Sequence, residues 1–217
     1  MSRKYRPTLY QKWTAKKVMS VQDSLDAGTL MFSANEQGND SVIAYIDFDS
    51  ALTLCTAVLG GAFSIAYPST GTRSGVSVTG KLTKFGGSKS SQRYNGGVES
   101  RILEIVAGTQ EGLPKWIITI KNSEGEISEK TGMITPKAGS NAVSQTLYFT
   151  HEEILLMCAK IKLHMEAYYN KYMLDLYDDS GNWNTGRADD FTTASALEYR
   201  AAKAAGNTNA RTTSVRL

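Results

Sequence analysis

The feature that most constrains this chain is residues 150–177, the longest stretch with a regular apolar periodicity. Thr150 stands three residues before Glu153, and a Thr-x-x-Glu pattern caps the start of a helix, where acidic side chains also suit the positive end of the helix dipole. The stretch is therefore predicted to be a long closing helix. Its apolar side chains form a stripe that is expected to pack against the domain's own sheet or, in the alternative, also against a second copy of the chain. The stripe consists of Ile154, Cys158, Ile161, Met165, Tyr168 and Tyr172.

Composition describes a globular protein, with 217 residues of which 41% are hydrophobic and 21% charged. No run approaches the roughly 20 apolar residues of a membrane helix. The basic, polar N-terminus has no signal-peptide core behind it, so a cytoplasmic protein is expected. Cys55 and Cys158 stand in apolar contexts and are expected to be buried thiols without redox chemistry.

The net charge of +3 is distributed unevenly. Residues 1–17 contain six basic side chains and residues 68–98 contain five, with no acidic side chain in either window. The remainder holds 13 basic and 21 acidic residues, a balance of −8. This polarity predicts two basic surfaces that face a polyanion.

The first basic window mixes cations with aromatic side chains, a composition typical of proteins that bind single-stranded nucleic acid, because cations follow phosphates and aromatic faces stack on bases. The alternative is a basic arm whose aromatic residues dock on the domain. We predict an arm over residues 1–14. The candidate binding residues in this part of the chain are Arg3, Lys4, Tyr5, Arg6, Tyr10, Lys12, Trp13, Lys16 and Lys17.

The second basic window is rich in Gly, Ser and Thr and is predicted to be a flexible hairpin whose glycines let the backbone approach a polyanion. The alternative is an ordinary exposed loop. Gly75 to Lys81 nearly matches a phosphate-binding loop, but Leu82 replaces the Ser or Thr that would hold magnesium, so nucleotide hydrolysis is not expected. The candidate binding residues of this window are Arg73, Lys81, Lys84, Phe85, Lys89, Arg93 and Tyr94.

The remaining segments predict an α+β fold. A short helix follows a cap at Asp47 or Asp49 and ends at Gly60-Gly61, and a turn is expected at residues 122–125. Twisted antiparallel sheets with this internal helix and the long closing helix would form one domain over residues 15–177. Residues 178–217 are expected to be a polar tail with a possible short helix. The expected strands lie within residues 15–32, 42–46, 62–67, 100–107, 115–121 and 146–149, with a further short one at Met133-Ile134.

A start with Tyr10, Lys12, Ala15 and Val18, the strand Lys115-Trp116-Ile117-Ile118-Thr119-Ile120 and the capped final helix together resemble the Whirly and PC4-like single-stranded-DNA-binding fold, over roughly residues 10–177. In that family the opening strand lines the DNA groove, the sheets present aromatic and polar side chains to unstacked bases, and helices make oligomers. The resemblance adds Lys115 and Trp116 to the candidate binding residues. The length also fits small phage-encoded single-strand-binding proteins, which would place the protein in the host cytoplasm.

Catalytic patterns are not evident in the sequence. His151 and His164 lie 13 residues apart on the predicted helix, about 220° around its axis, so they cannot share a ligand or a proton. No Ser, His and Asp constellation or carboxylate pair stands out. The sequence therefore predicts no enzyme, no cofactor and no metal site.

Together these patterns predict a homo-oligomeric, sequence-nonspecific single-stranded-DNA-binding protein that coats or protects strands during replication or recombination. An RNA-binding or transcription-regulating module would use the same basic and aromatic surface. A virion structural or assembly protein would share the strand-rich body, and it should form large particles without nucleic acid.

Overall fold

A computed structural model describes residues 7–24, 27–37 and 41–175. Arg3, Lys4, Tyr5 and Arg6 lie outside these ranges, as do the predicted tail and its possible helix. The chain divides into two compact units, Met1–Met165 and Glu166–Leu217, and the boundary falls within the closing helix. The described part of the second unit is the C-terminal end of that helix.

The first sheet has four antiparallel strands in chain order. It consists of β1 (Thr8–Trp13), β2 (Lys17–Ser24), β3 (Thr29–Glu36) and β4 (Val42–Asp47). From Thr8 onward the predicted arm is thus the edge strand of this sheet, because its backbone pairs antiparallel with β2. Tyr10, Val21, Phe32 and Ala44 form one cross-strand row of the buried face.

Helix α1 (Phe48–Leu59) begins as the sequence predicts. The Asp47 carboxylate accepts a hydrogen bond from the Ser50 amide at 2.8 Å, and Gly60 follows the last helical turn. The strand expected at residues 62–67 is wrong, since Phe63–Ala66 forms the short helix α2. Phe63 packs against Trp116 with ring centroids 4.9 Å apart, so tertiary packing outweighs the local strand preference.

The second sheet runs in the order β10-β8-β7-β6-β5, with β9 paired to the end of β8. All of these pairings are antiparallel. The strands are β5 (Pro68–Arg73), β6 (Val76–Ser88), β7 (Glu99–Gln110), β8 (Leu113–Ile127), β9 (Ile134–Pro136) and β10 (Val143–Phe149).

This topology contradicts the prediction of a flexible basic hairpin over residues 68–98. β5 and β6 do form a hairpin, but β6 also pairs with β7 along residues 77–88 and is an interior strand. Gly87 permits close strand contact there, because a Cβ atom at this position would lie 2.1 Å from the Glu99 carbonyl oxygen. Glycines that suggested a flexible loop in the sequence therefore allow neighbouring strands to pack closely. A short 3-10 helix, Gln92–Tyr94, follows β6.

Residues 122–125 are not a turn but the continuation of β8. Asn122 is fully buried, and its side-chain amide pairs with the outer edge of β4. Its Oδ1 accepts from the Ile43 amide at 2.9 Å and its Nδ2 donates to the Ile43 carbonyl at 3.1 Å. A polar sequence that reads as a turn is thus a buried junction between the two sheets, since both the oxygen and the nitrogen of the Asn122 amide have partners.

Helix α3 (His151–Asp175) closes the described fold. The predicted capping box is confirmed: the Thr150 amide donates to the Glu153 carboxylate at 2.8 Å and the Glu153 amide donates to the Thr150 hydroxyl at 3.3 Å. Ile154, Cys158 and Ile161 are buried within the first unit, so the stripe there packs on the chain's own core. The α+β class with antiparallel sheets, an internal helix and a long closing helix is therefore confirmed.

In the part of the chain that the structure describes, every helix is too short or too polar to cross a lipid bilayer.

Candidate nucleic-acid interface

The four-stranded sheet has a second face, opposite to the buried one, which we call the open sheet face. Its side chains follow from strand register, because alternate residues of a strand point to opposite sides. Its first three cross-strand rows are Trp13, Val18 and Asn35; Gln11, Ser20, Ser33 and Ile43; and Gln22, Met31 and Tyr45. A fourth row on the same face, Ser24, Thr29 and Asp47, ends in a carboxylate.

The three rows contain no charged side chain, only aromatic, aliphatic, hydroxyl and amide groups. Trp13 is 69% exposed, and its indole Nε1 donates to Gln11 Oε1 at 3.2 Å. Met31 and Tyr45 are half-buried further along the face. Exposed ring and thioether surfaces next to amide groups can stack on a planar base and hydrogen-bond its edges.

One cationic side chain, Arg101, approaches this face at its margin. The Arg101 guanidinium lies 5.6 Å from the centroid of the Tyr45 ring. Arg101 also donates from Nη2 to the Glu99 carboxylate at 2.6 Å, which fixes its position beside the ring.

The structure places several predicted binding residues inside the fold instead. Tyr10 is buried in β1, and burial, with the nearby Glu153 carboxylate, raises its pKa. Trp116 is buried between Phe63 and His151, and its Nε1 donates to His151 Nδ1 at 3.4 Å. Neither ring is available to stack on a base.

Lys12 is likewise committed to the fold. Its ammonium pairs with Glu153 and lies 4.7 Å from the centroid of the Phe149 ring. Burial by itself would raise the pKa of Glu153, but hydrogen bonds from Lys12 and the Thr150 amide hold that pKa below its usual range. The pair therefore joins β1 to the first turn of α3.

The predicted cations of the second basic window are mostly paired as well. Lys84 contacts Ser50 and lies 3.7 Å from Asp47, and Arg93 contacts the Ser41 carbonyl and lies 3.6 Å from Glu99. Arg73 and Lys81 are brought together on one carboxylate, that of Glu104. In the first window, Lys17 lies 4.0 Å from Glu36.

The other predicted residues do not form one surface. Lys16 and Lys89 are exposed at the ends of different strands, and Phe85 is exposed on the second sheet. Lys115 is half-buried in β8 and Tyr94 is half-buried in the 3-10 helix. Of the predicted aromatic residues within the described ranges, only Trp13 lies on the open sheet face. Sequence reasoning missed Gln22, Met31, Tyr45 and Arg101, although the period-two alternation within β2, β3 and β4 could have found the first three.

Cys55 and Cys158 are both buried thiols, as the sequence predicts. A hydrogen bond to Cys55, together with burial, raises the pKa of the Cys158 thiol. Among residues 7–24, 27–37 and 41–175, no group of three or more His, Cys, Asp and Glu side chains has the arrangement of a metal site.

No protein-family model matches the chain, and no curated protein matches its sequence. Two solved structures are similar in fold. WHY1 from Arabidopsis thaliana matches with 9% identity and a TM-score of 0.40, over 81% of this chain and 95% of that chain. The plant transcriptional regulator PBF-2 matches with 10% identity and a TM-score of 0.42, over 88% and 100%. The expected phage source is unsupported. Because both TM-scores are below 0.5, we base the function on the chain's own residues.

Proposed function

We propose that this protein binds single-stranded DNA without sequence preference and without catalysis, with unpaired bases on the open sheet face. One observation carries the proposal: three cross-strand rows without a charged side chain, bordered by the exposed indole of Trp13. Such a face suits the flat, uncharged surfaces of bases better than a phosphate backbone.

Duplex DNA fits this face poorly, because a duplex presents its phosphates outward and holds its bases in the stack. An unpaired strand can turn its bases towards Trp13, Met31 and Tyr45 while its phosphates stay in solvent or meet cations. Stacking is tolerant of sequence, since every base has a π-face.

The cations that we assign to the phosphates are those next to β1 in the sequence. Arg3, Lys4 and Arg6 precede β1 in the chain, and Lys16 follows it. Most other predicted cations have an acidic partner within the fold, which offsets part of their charge. The cations that precede and follow β1 in the sequence are therefore proposed to meet the phosphates.

We expect Trp13→Ala to weaken binding to a fluorescein-labelled oligothymidylate about tenfold, since base–aromatic stacking contributes about 1–3 kcal/mol. Fluorescence anisotropy measures the affinity. Leu113→Ala is the matched control, because Leu113 is 70% exposed, as Trp13 is at 69%, but lies on the second sheet. Equal losses in the two variants would contradict the proposed face.

The same assay with other strands tests the class of ligand. Single-stranded DNA should bind more tightly than duplex of the same sequence. Equal affinity for duplex would remove the stacking argument, and tighter binding of RNA would favour the RNA-binding alternative.

We further propose that a second copy of the chain contacts the outer side of α3, which would suit coating of a strand in replication or recombination because linked sites gain effective concentration. The buried stripe cannot supply this contact, since Ile154, Cys158 and Ile161 pack inside the fold. Leu156 and Leu163, at 51% and 69% exposure, lie seven residues apart on the opposite side of the helix.

Light scattering on the full chain should report an oligomer at micromolar concentration, and the double variant Leu156→Lys, Leu163→Lys should be monomeric. Leu113→Lys introduces a charge at an equally exposed leucine elsewhere and should leave the mass unchanged. A monomeric wild-type protein would refute the oligomer, and an oligomeric double variant would refute this contact.

A further inference from the structure

The second sheet carries a polar depression that the open sheet face does not involve. It lies on the side of that sheet opposite to Leu103 and Ile105, because Glu104 alternates with these buried residues along β7. The depression has a volume of about 450 Å³. Four neighbouring strands each supply one charged side chain to its lining, namely Arg73 (β5), Lys81 (β6), Glu104 (β7) and Lys121 (β8).

One buried carboxylate holds two of the three cations in place. Glu104 is 6% exposed; its Oε2 lies 2.9 Å from Lys81 Nζ, and its Oε1 pairs with the Arg73 guanidinium. Arg73 Nη2 also donates to Thr119 Oγ1 at 2.9 Å, and that hydroxyl lies 3.0 Å from Thr146 Oγ1. The guanidinium and ammonium groups are thus fixed before any ligand arrives, which lowers the entropy lost on binding.

Lys121 adds a third positive charge, which the single Glu104 carboxylate cannot neutralise together with Arg73 and Lys81. Lys121 is half-buried in the lining, and within the described ranges it has no ion pair or hydrogen bond through its ammonium group. Three cations and one carboxylate leave the depression with a charge of +2. A guanidinium has five N–H donors and an ammonium has three, so all three cations keep donors that the contacts described above do not use.

The hairpin strand adds polar atoms to the same place. Ser69, Thr70 and Thr72 line the depression beside Gly71. The β5–β6 pairing is irregular between Pro68 and Gly71, so the strand is bulged where it borders the depression. Hydroxyl groups, and backbone groups that a bulge leaves unpaired, can hydrogen-bond the oxygens of an anion.

We propose that this depression binds a phosphate monoester dianion. A charge of −2 with three terminal oxygens matches a net charge of +2 with cationic donors from three strands, whereas an internal phosphodiester carries a single negative charge. The near-match to a phosphate-binding loop at Gly75 to Lys81 contributes Lys81 to the site, but through sheet register and not through a loop and helix. The site does not depend on the proposed open sheet face.

Calorimetry with inorganic phosphate, AMP and adenosine tests the proposal. AMP is expected to bind and adenosine to bind at least tenfold more weakly, because only AMP carries the dianion. Binding of inorganic phosphate alone would show that the phosphate group suffices. An oligonucleotide with a 5′-phosphate that binds more tightly than its 5′-hydroxyl form would identify a strand end as a source of the group.

Lys121→Ala should weaken AMP binding about tenfold and leave the fold intact, since no described contact depends on that ammonium group. Lys160→Ala removes the same charge from the exposed side of α3 and is the matched control. Trp13→Ala should leave phosphate binding unchanged, so a failure of the open sheet face would not be mistaken for a failure of this site. Equal binding of AMP and adenosine, or wild-type AMP affinity in Lys121→Ala, would overturn the proposal.

Discussion

Replacing Glu99 by alanine is expected to lower the free energy of unfolding by about 3 kcal/mol, because it breaks a buried charge network and leaves its cationic partners unpaired. Glu99 is 3% exposed and accepts hydrogen bonds from Arg101, from Ser91 Oγ at 3.0 Å and from Asn122 Nδ2 at 3.1 Å. Arg93 Nη1 lies 3.6 Å from the same carboxylate. One side chain thus holds partners from three separate segments.

The effect should spread beyond the local pair. Asn122 binds both backbone groups of Ile43, so the loss of Glu99 removes the group that orients the amide between β8 and β4. The contact joins the two sheets, and its loss should be seen as a lower urea midpoint for the whole first unit.

Glu124→Ala is the control for this measurement. Glu124 pairs with Lys137 at 2.6 Å, but both side chains are about half exposed, and exposed pairs contribute little because solvent screens them. We expect no measurable change in its urea midpoint. If Glu99→Ala were as stable as this control, the network would not be what joins the sheets.

Replacing Arg3, Lys4 and Arg6 by alanine is expected to weaken single-stranded DNA binding about a hundredfold at 0.1 M salt. Each phosphate contact on a single strand contributes about 0.7 to the slope of log K against log salt, so three lost contacts should reduce the slope by about 2. Anisotropy titrations at several salt concentrations give both quantities. The folded body should be unaffected, since the change precedes β1.

The control carries the same change in charge at other places. Lys89, Lys130 and Lys160, replaced together, remove three exposed cations without touching the β1 edge. This triple variant should keep a salt slope close to that of the wild type. A loss equal to that of the N-terminal variant would mean that net charge, and not position, sets the affinity.

Cations of the second basic window would give a less specific test of DNA binding than the N-terminal cations. Replacing Lys84 and Arg93 would remove partners of Asp47 and Glu99, so a weaker affinity could follow from a weaker fold. Arg3, Lys4 and Arg6 precede β1, so their replacement changes the charge without removing a partner of Asp47 or Glu99.

Local sequence determined the elements whose cause is local. The Thr150–Glu153 capping box, the Asp47 cap and Gly60 mark helix ends through hydrogen bonds and dihedral preferences that involve neighbouring residues only. The apolar stripe of α3 and the alternation in β7 and β8 follow from the repeats of the helix and the strand. The α+β class could therefore be predicted from the sequence alone.

Only the tertiary structure decided where the charges lie. Lys12 and Glu153 are 141 residues apart in the chain and form a pair, and Lys81 meets Glu104 across two strands at 2.9 Å. A sequence reports net charge by segment, whereas affinity depends on which cations remain unneutralised after folding. The same reason explains Asn122, a turn-like residue that is buried because Ile43 and Glu99 satisfy its amide. The order of the residues thus determined that the chain is polarised and rich in strands. Register decided which face carries the three uncharged rows, because shifting a strand by one residue exchanges its two faces.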